Sequence, residues 1–486
     1  IPSNLKFEAV TGNIVVDSKV GLTAKSIKAN LFEESVTLAI KTDYRSREAD
    51  EQLLTDRITK LFLKGNLGLD NTFKYFDSSK PDFINGKFAY LAELTLSSDE
   101  KKYPLLTIDT NLVGVDCNCP IPFNKKPLDE QRVQLSLLLK PEQSYLEASV
   151  ISPKAPRINA ELLFVDDKLT FGEFRIGGAK VKNTDIKGIN IAAQLETAEL
   201  GEWIDFLQES FKTKPINESI HNTQSIELSS SQSNLVTQIQ LDINQLNAFD
   251  YLFQKSSLYV LPTKDSWKII VGGEDAVGSV LLADSKGKLI LEFEKLNLSE
   301  SVSATNLKSS YPKEQETKTD PRTFPLLSFK AKNLLLDGRS IGRWQFDLTP
   351  DDTGSLFRNI KGYIKGNDIG GQVNWRYSAG IQNTIATLTV KGKDISEMFS
   401  AFDLPVLMSS SRYNADMAFV WPDSPSDFSL AQLSGNVSLS LEEGFLKTED
   451  QKTGPLRLFG VLNAESIKRR LKLDFSDLYK SGVGYD

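Results

Sequence analysis

Short runs in which apolar and polar residues alternate one by one recur along almost the whole chain, and they constrain the fold more than any other feature. Successive side chains of a strand point to opposite faces, so each run builds one apolar and one polar face. Val36, Leu38 and Ile40 share a face, as do Val133, Leu135, Leu137 and Leu139, with Gln134 and Ser136 opposite. The pattern returns at Leu289, Leu291 and Phe293, at Leu388 and Val390, and at Val437, Leu439 and Leu441, whose other side carries Ser438 and Ser440. Turn signals such as Gly12-Asn13, Asp166-Asp167, Gly177-Gly178 and Lys187-Gly188 separate the runs.

Strands are expected within 5–42 and over 57–63, 86–96, 107–115 and 132–140, with three or four between 156 and 193. Others follow at 236–243, 257–260, 267–272, 276–283 and 288–296, then at 326–331, 343–348, 357–365, 370–377, 384–390, 413–421 and 435–441, where Glu443-Gly444 turns the chain. Helical spacing is confined to short pieces: 70–76, 199–211 with Leu200, Ile204, Leu207 and Phe211 in one stripe, and 394–402 with Asp394 as N-cap. The sum is on the order of thirty strands, a share of sheet well above the ordinary globular level.

Consecutive strands usually neighbour one another. A meander advancing about 4.8 Å per strand would extend well over about 100 Å and would have to curl. The expected class is therefore mostly β: an elongated, curled, many-stranded antiparallel sheet forming an apolar groove, with a few short helices. The runs 214–234 and 300–323 are polar and read as mobile loops, because the same strand pattern resumes after each. Residues 1–486 are thus expected to form one continuous groove.

Composition excludes several function classes. A net charge of -7 gives no basic surface for nucleic acid. The apolar runs fall far short of the roughly 18 residues that span a bilayer as a helix. The chain starts at Ile1 with no leader pattern and is expected to be an internal piece of a larger protein. One histidine, His221, stands in a polar run, so a Ser-His-Asp or Cys-His arrangement has a single candidate imidazole and the residue reads as a solvated loop position. No cofactor or metal site is expected.

The two cysteines occur as Cys117-Asn118-Cys119, followed by Pro120-Ile121-Pro122. A metal site needs more ligands than this spacing supplies. On a strand both thiols would point to one face, as two small buried apolar side chains; an oxidised pair or an intermolecular bridge is the alternative. The prolines should end a strand or form an edge.

The stretch 413–486 has an ordered set of pieces: Trp421-Pro422, the run Gly435 to Leu441, short helical turns over 458–462 and 464–470, and Arg470-Leu471-Lys472-Leu473-Asp474-Phe475-Ser476-Asp477. Pro455 suits a helix first turn and Asn463 an N-cap. This set resembles the C-terminal part of the YhdP branch of the AsmA-like proteins. Gly114 with Pro120-Ile121-Pro122 and Lys125, and Gly188-Ile189-Asn190-Ile191 leading to Trp203, are similar to that branch as well, although the cysteines depart from its pattern.

The resemblance implies a periplasmic protein of Gram-negative bacteria, anchored in the inner membrane by a segment before Ile1. Its partners would be phospholipids, the membranes at the ends of the full-length protein, and inner- or outer-membrane proteins. It also implies non-enzymatic transport of phospholipid between the membranes through the groove, in the service of outer-membrane homeostasis, and that helix 199–211 could cap the open side of the sheet. The apolar faces named above would be the groove wall. A structural or assembly role, with client strands pairing at sheet edges, is the alternative. An enzyme using paired carboxylates would have Asp474 and Asp477, which read as a strand end with turn residues. Lys468, Arg469, Arg470 and Lys472 read as a solvated face, or as a contact for lipid phosphates.

Overall fold

The structure is a computed structural model and describes residues 6–446, less 19, 50–51, 76–78, 167, 182–186, 211–234, 249–250, 264–265, 283–287, 300–318, 402–405, 407 and 429–431. His221, the runs 214–234 and 300–318, and all of the motif beyond Leu446, including Asp474, Asp477 and the basic cluster, lie outside the described residues. The chain divides into two compact units, residues 1–249 with 257–262, and residues 250–256 with 263–486.

In the first unit β1 (Glu8–Gly12) and β2 (Val15–Asp17) both pair with β3 (Gly21–Leu31). There follow β4 (Glu34–Ala49), β5 (Gln52–Gly68), helix α1 (Leu69–Tyr75), β6 (Ile84–Ser97), β7 (Leu105–Thr110), β8 (Val115–Cys117) and β9 (Arg132–Leu139). Next come β10 (Gln143–Ile151), β11 (Ile158–Val165), β12 (Lys168–Ile176), β13 (Gly188–Glu199), helix α2 (Leu200–Ser210) and β14 (Val236–Ala248). From β3 to β12 the pairing is antiparallel between neighbours, except that β8 turns aside to pair with the start of β6, so that β7 meets β9. β15 (Tyr251–Pro262) is shared between the units, residues 257–262 belonging to the first.

In the second unit β16 (Trp267–Gly272), β17 (Ala276–Leu282) and β18 (Leu289–Leu298) lead to β19 (Leu327–Leu336), β20 (Arg339–Asp351), β21 (Gly354–Ile364) and β22 (Asn367–Ser378). β23 (Ile381–Gly392), helix α3 (Ile395–Ala401), β24 (Met408–Pro422) and β25 (Ser434–Leu446) complete it. Asp394 caps α3 as the sequence suggests, accepting from the Ser396 amide at 2.9 Å. Mostly β, with chiefly antiparallel pairing and a few short helices, is the class the alternation predicts.

Five local expectations change. Residues 107–115 are not one strand: β7 ends at Thr110, whose Oγ1 accepts from the Leu112 amide and starts a turn into β8. β10 was not expected, because Pro141 and the small residues Ala148 and Ser149 blur its alternation. Glu443-Gly444 does not turn the chain: β24 is long enough to pair Gly444 with Ser410, and a side chain at Gly444 would meet the Ser409 carbonyl oxygen at 2.0 Å, so glycine serves close approach there. Among the described pairings, β12–β13, β13–β14 and β18–β19 are parallel. Parallel neighbours need long crossovers, and the polar runs fall in two of these connections, 200–235 and 299–326. Finally, Cys117 and Cys119 are not separate thiols but a disulfide.

Candidate functional site

Register turns the alternating runs into rows that cross many strands. In the first unit Leu38 stands opposite Leu63, Leu63 opposite Ala92, Ala92 opposite Ile108 and Ile108 opposite Leu135. The row continues through Ala148, Ala160, Phe174, Ile191 and Ile239. Ten strands therefore contribute ten apolar side chains and no charge to one row. Ile40 and Leu137 lie on the neighbouring row with Leu61, Leu94 and Leu106. Val36 and Val133 flank it on the other side, and Leu139, opposite Ser144, sits one step beyond Leu137.

The second unit repeats the arrangement. Phe293 pairs with Ala331, then Trp344, Gly362, Ile369, Val390, Ala415 and Leu439 follow in register. Leu289 heads a parallel row through Leu327, Leu348 and Phe357. Leu291 stands on Phe329, while Leu388 meets Met417 and then Val437; Leu441 pairs with Tyr413. The rings of Phe293, Phe329, Phe346 and Phe357 form a chain with centroids 6.4, 4.9 and 5.6 Å apart. All the candidates named in the second unit thus share one face of that unit, and all those of the first unit share one face of the first.

Among the described residues these faces are only partly covered. Leu38, Leu63, Ile108, Leu135 and Ala148 are half-buried, and Val437, Leu439 and Leu441 are 57%, 42% and 42% exposed. Helix α3 covers one part in the second unit, where Ile395, Met398 and Phe399 pack with Val390, Tyr413 and Ala415. The turn at Pro321–Thr323 covers another, Ser355 donating to the Pro321 carbonyl oxygen at 2.5 Å. Among the described residues each unit therefore presents a contiguous apolar face that is left half open.

The opposite face of the first unit is mostly polar, with Phe62 and Leu91 exposed on it, and many of its charged groups are paired. Lys60 donates to Glu93 at 2.6 Å, which holds the Glu93 carboxyl below its usual range with help from Thr95. Gln134 and Arg132 both donate to Asp109, each at 3.0 Å. Glu147, Glu161 and Glu173 stand directly opposite one another on three strands, a repulsive arrangement that Arg175 offsets by bridging Glu161 and Glu173. Tyr145 donates to Glu161 at 2.9 Å; burial first, then that bond, push its hydroxyl up to about 12. A broad depression of about 1280 Å³ lies over this polar face, bordered by Phe62, Glu93, Thr107, Ser136, Glu161 and Arg175. The apolar rows are on the other side of the same strands.

Among the described residues no cluster of His, Cys, Asp and Glu could hold a metal ion, and no helix is long and apolar enough to cross a membrane. Sequence reasoning named apolar runs of two to four alternate positions. It passed over Leu61, Leu94, Phe329 and Phe346, although period-2 alternation was their signal too.

Residues 1–486 match the model of the family described as YhdP protein. No curated protein and no solved structure matches the chain.

Proposed function

The chain belongs to the YhdP family, and on that premise we propose that the apolar face of each unit is a track for phospholipid acyl chains. The observation that carries the reading is the charge-free row from Leu38 to Ile239 with its neighbours on either side. Moving an acyl chain from water to such a surface contributes roughly 0.8 kcal/mol per buried CH2. Because successive positions along a row are chemically alike, the chain slides between them with little change in free energy. Head groups stay at the wet margin. Nothing in this cycle requires a bond to be made or broken, so the protein works as a non-enzymatic conduit.

In the full-length protein this conduit lies in the periplasm, anchored at the inner membrane, and moves phospholipid between the inner and outer membranes with membrane proteins as partners at its ends. A photo-crosslinking amino acid at Leu135 tests the reading in cells. It should capture phospholipid, whereas the same group at Gln134, on the polar face, should not. Capture of a protein strand at Leu135 in place of lipid would favour the assembly role.

A further inference from the structure

We propose that the Cys117–Cys119 disulfide is a redox-sensitive latch that sets the position of helix α2. The bond closes a ring around a single residue, Asn118. A ring so short removes little entropy from the unfolded chain, so its effect is local. Two routes lead from it to α2. The Asn118 amide donates to the Phe83 carbonyl oxygen at 2.8 Å, and the Phe83 ring meets Phe206 edge-on at 5.0 Å. Four residues after Cys119, Phe123 meets Trp203 edge-on at 5.8 Å, and Trp203 in turn contacts Phe206.

The loop is closed at its base. Cys117 and Lys125 exchange backbone hydrogen bonds of 2.9 and 3.0 Å, and the Lys125 side chain, 2% exposed, donates to the carbonyl oxygens of Val115 and Lys126. With Cys117 and Lys125 pinned to each other, the disulfide sets the path of the residues between them, which carry Asn118 to Phe83 and Phe123 to the helix. Both cysteines are half-buried, within reach of a small thiol. A dithiol reductant would pass two electrons and two protons to the bond, giving two thiols here and a disulfide in the reductant. The loop between Cys117 and Lys125 then relaxes, and Trp203 loses its contact with Phe123.

Amide hydrogen exchange of peptide 200–206, with and without dithiothreitol, tests this on the intact protein. Reduction should lower protection there by at least about tenfold while the strands keep theirs. The Cys117→Ser/Cys119→Ser double variant should be loose in both conditions, and Phe123→Ala should loosen α2 with the disulfide intact. Trp203 is the one tryptophan of residues 1–249, the others being Trp267, Trp344, Trp375 and Trp421. The emission difference between wild type and Trp203→Phe therefore isolates it, and should shift to the red on reduction. Unchanged protection and emission after reduction, or global loss of β-sheet signal in the double variant, would overturn the latch.

Discussion

Ile108 and Leu135 are register partners across β7 and β9, and one residue along the same two strands Asp109 and Gln134 are partners too, joined by a 3.0 Å hydrogen bond on the other face. One strand pair thus separates an apolar from a polar surface with nothing but period-2 alternation. The first expectation follows directly. A charge on the apolar face should block lipid, and a charge on the polar face should not. Leu137→Asp and Leu291→Asp should each lower lipid crosslinking by about tenfold, equivalent to ~1.4 kcal/mol. Lys64→Glu, on the polar face and exposed, should leave it unchanged.

Gly362 is the partner of Trp344, whose ring lies where a side chain would begin: a Cβ there would meet three ring atoms at 2.8 to 3.0 Å. Gly362→Val should therefore displace the ring and cost about 1–3 kcal/mol by overpacking. Urea denaturation followed by fluorescence measures it. Equal midpoints for variant and wild type would mean the ring moves freely.

Asp56 ties β5 to the turn after β6. Hydrogen bonds from Lys102, then Ser97 and Ser98, hold its carboxyl down to about 2, against the usual 3.8. A depressed pKa contributes stability that is present above the unfolded value and is lost as pH falls through the folded one. Urea midpoints of the wild type should drop between about pH 4 and 2, and Asp56→Asn should lack that part of the drop. Parallel pH profiles would remove the assignment.

Tyr413 donates to Asn367 Oδ1 at 2.8 Å, and Asn367 is 1% exposed. Tyr413→Phe leaves that oxygen short of a donor and should cost ~1–2 kcal/mol. Burial, with the Asp394 charge second, pushes the tyrosine up to about 12 from 10.0. A raised pKa means its stabilisation is intact below pH 10 and fades as the pH climbs toward 12. Alkaline denaturation of wild type and Tyr413→Phe should therefore converge in that window.

The faces were legible in the sequence, because a strand's alternation needs only its own residues; Leu289, Leu291 and Phe293 announce a face without any knowledge of their neighbours. Which faces meet was not legible, because Phe293 reaches Leu439's row only through seven pairings, each set by its own turn or bulge. The parallel junctions were hidden for the same reason: the polar runs preceding β14 and β19 look alike whether the next strand runs up or down. The Cys117 loop turned on a tertiary fact, the carbonyl oxygens around Lys125, that spacing does not encode.

The central claim is best tested by native mass spectrometry and lipid extraction on the protein expressed in bacteria and purified without detergent. The account predicts phospholipid bound to the wild type and lost from Leu137→Asp and Leu291→Asp variants that keep their fold. A folded protein that carries no lipid and takes up none from added vesicles would contradict it, and would leave the apolar faces to protein partners.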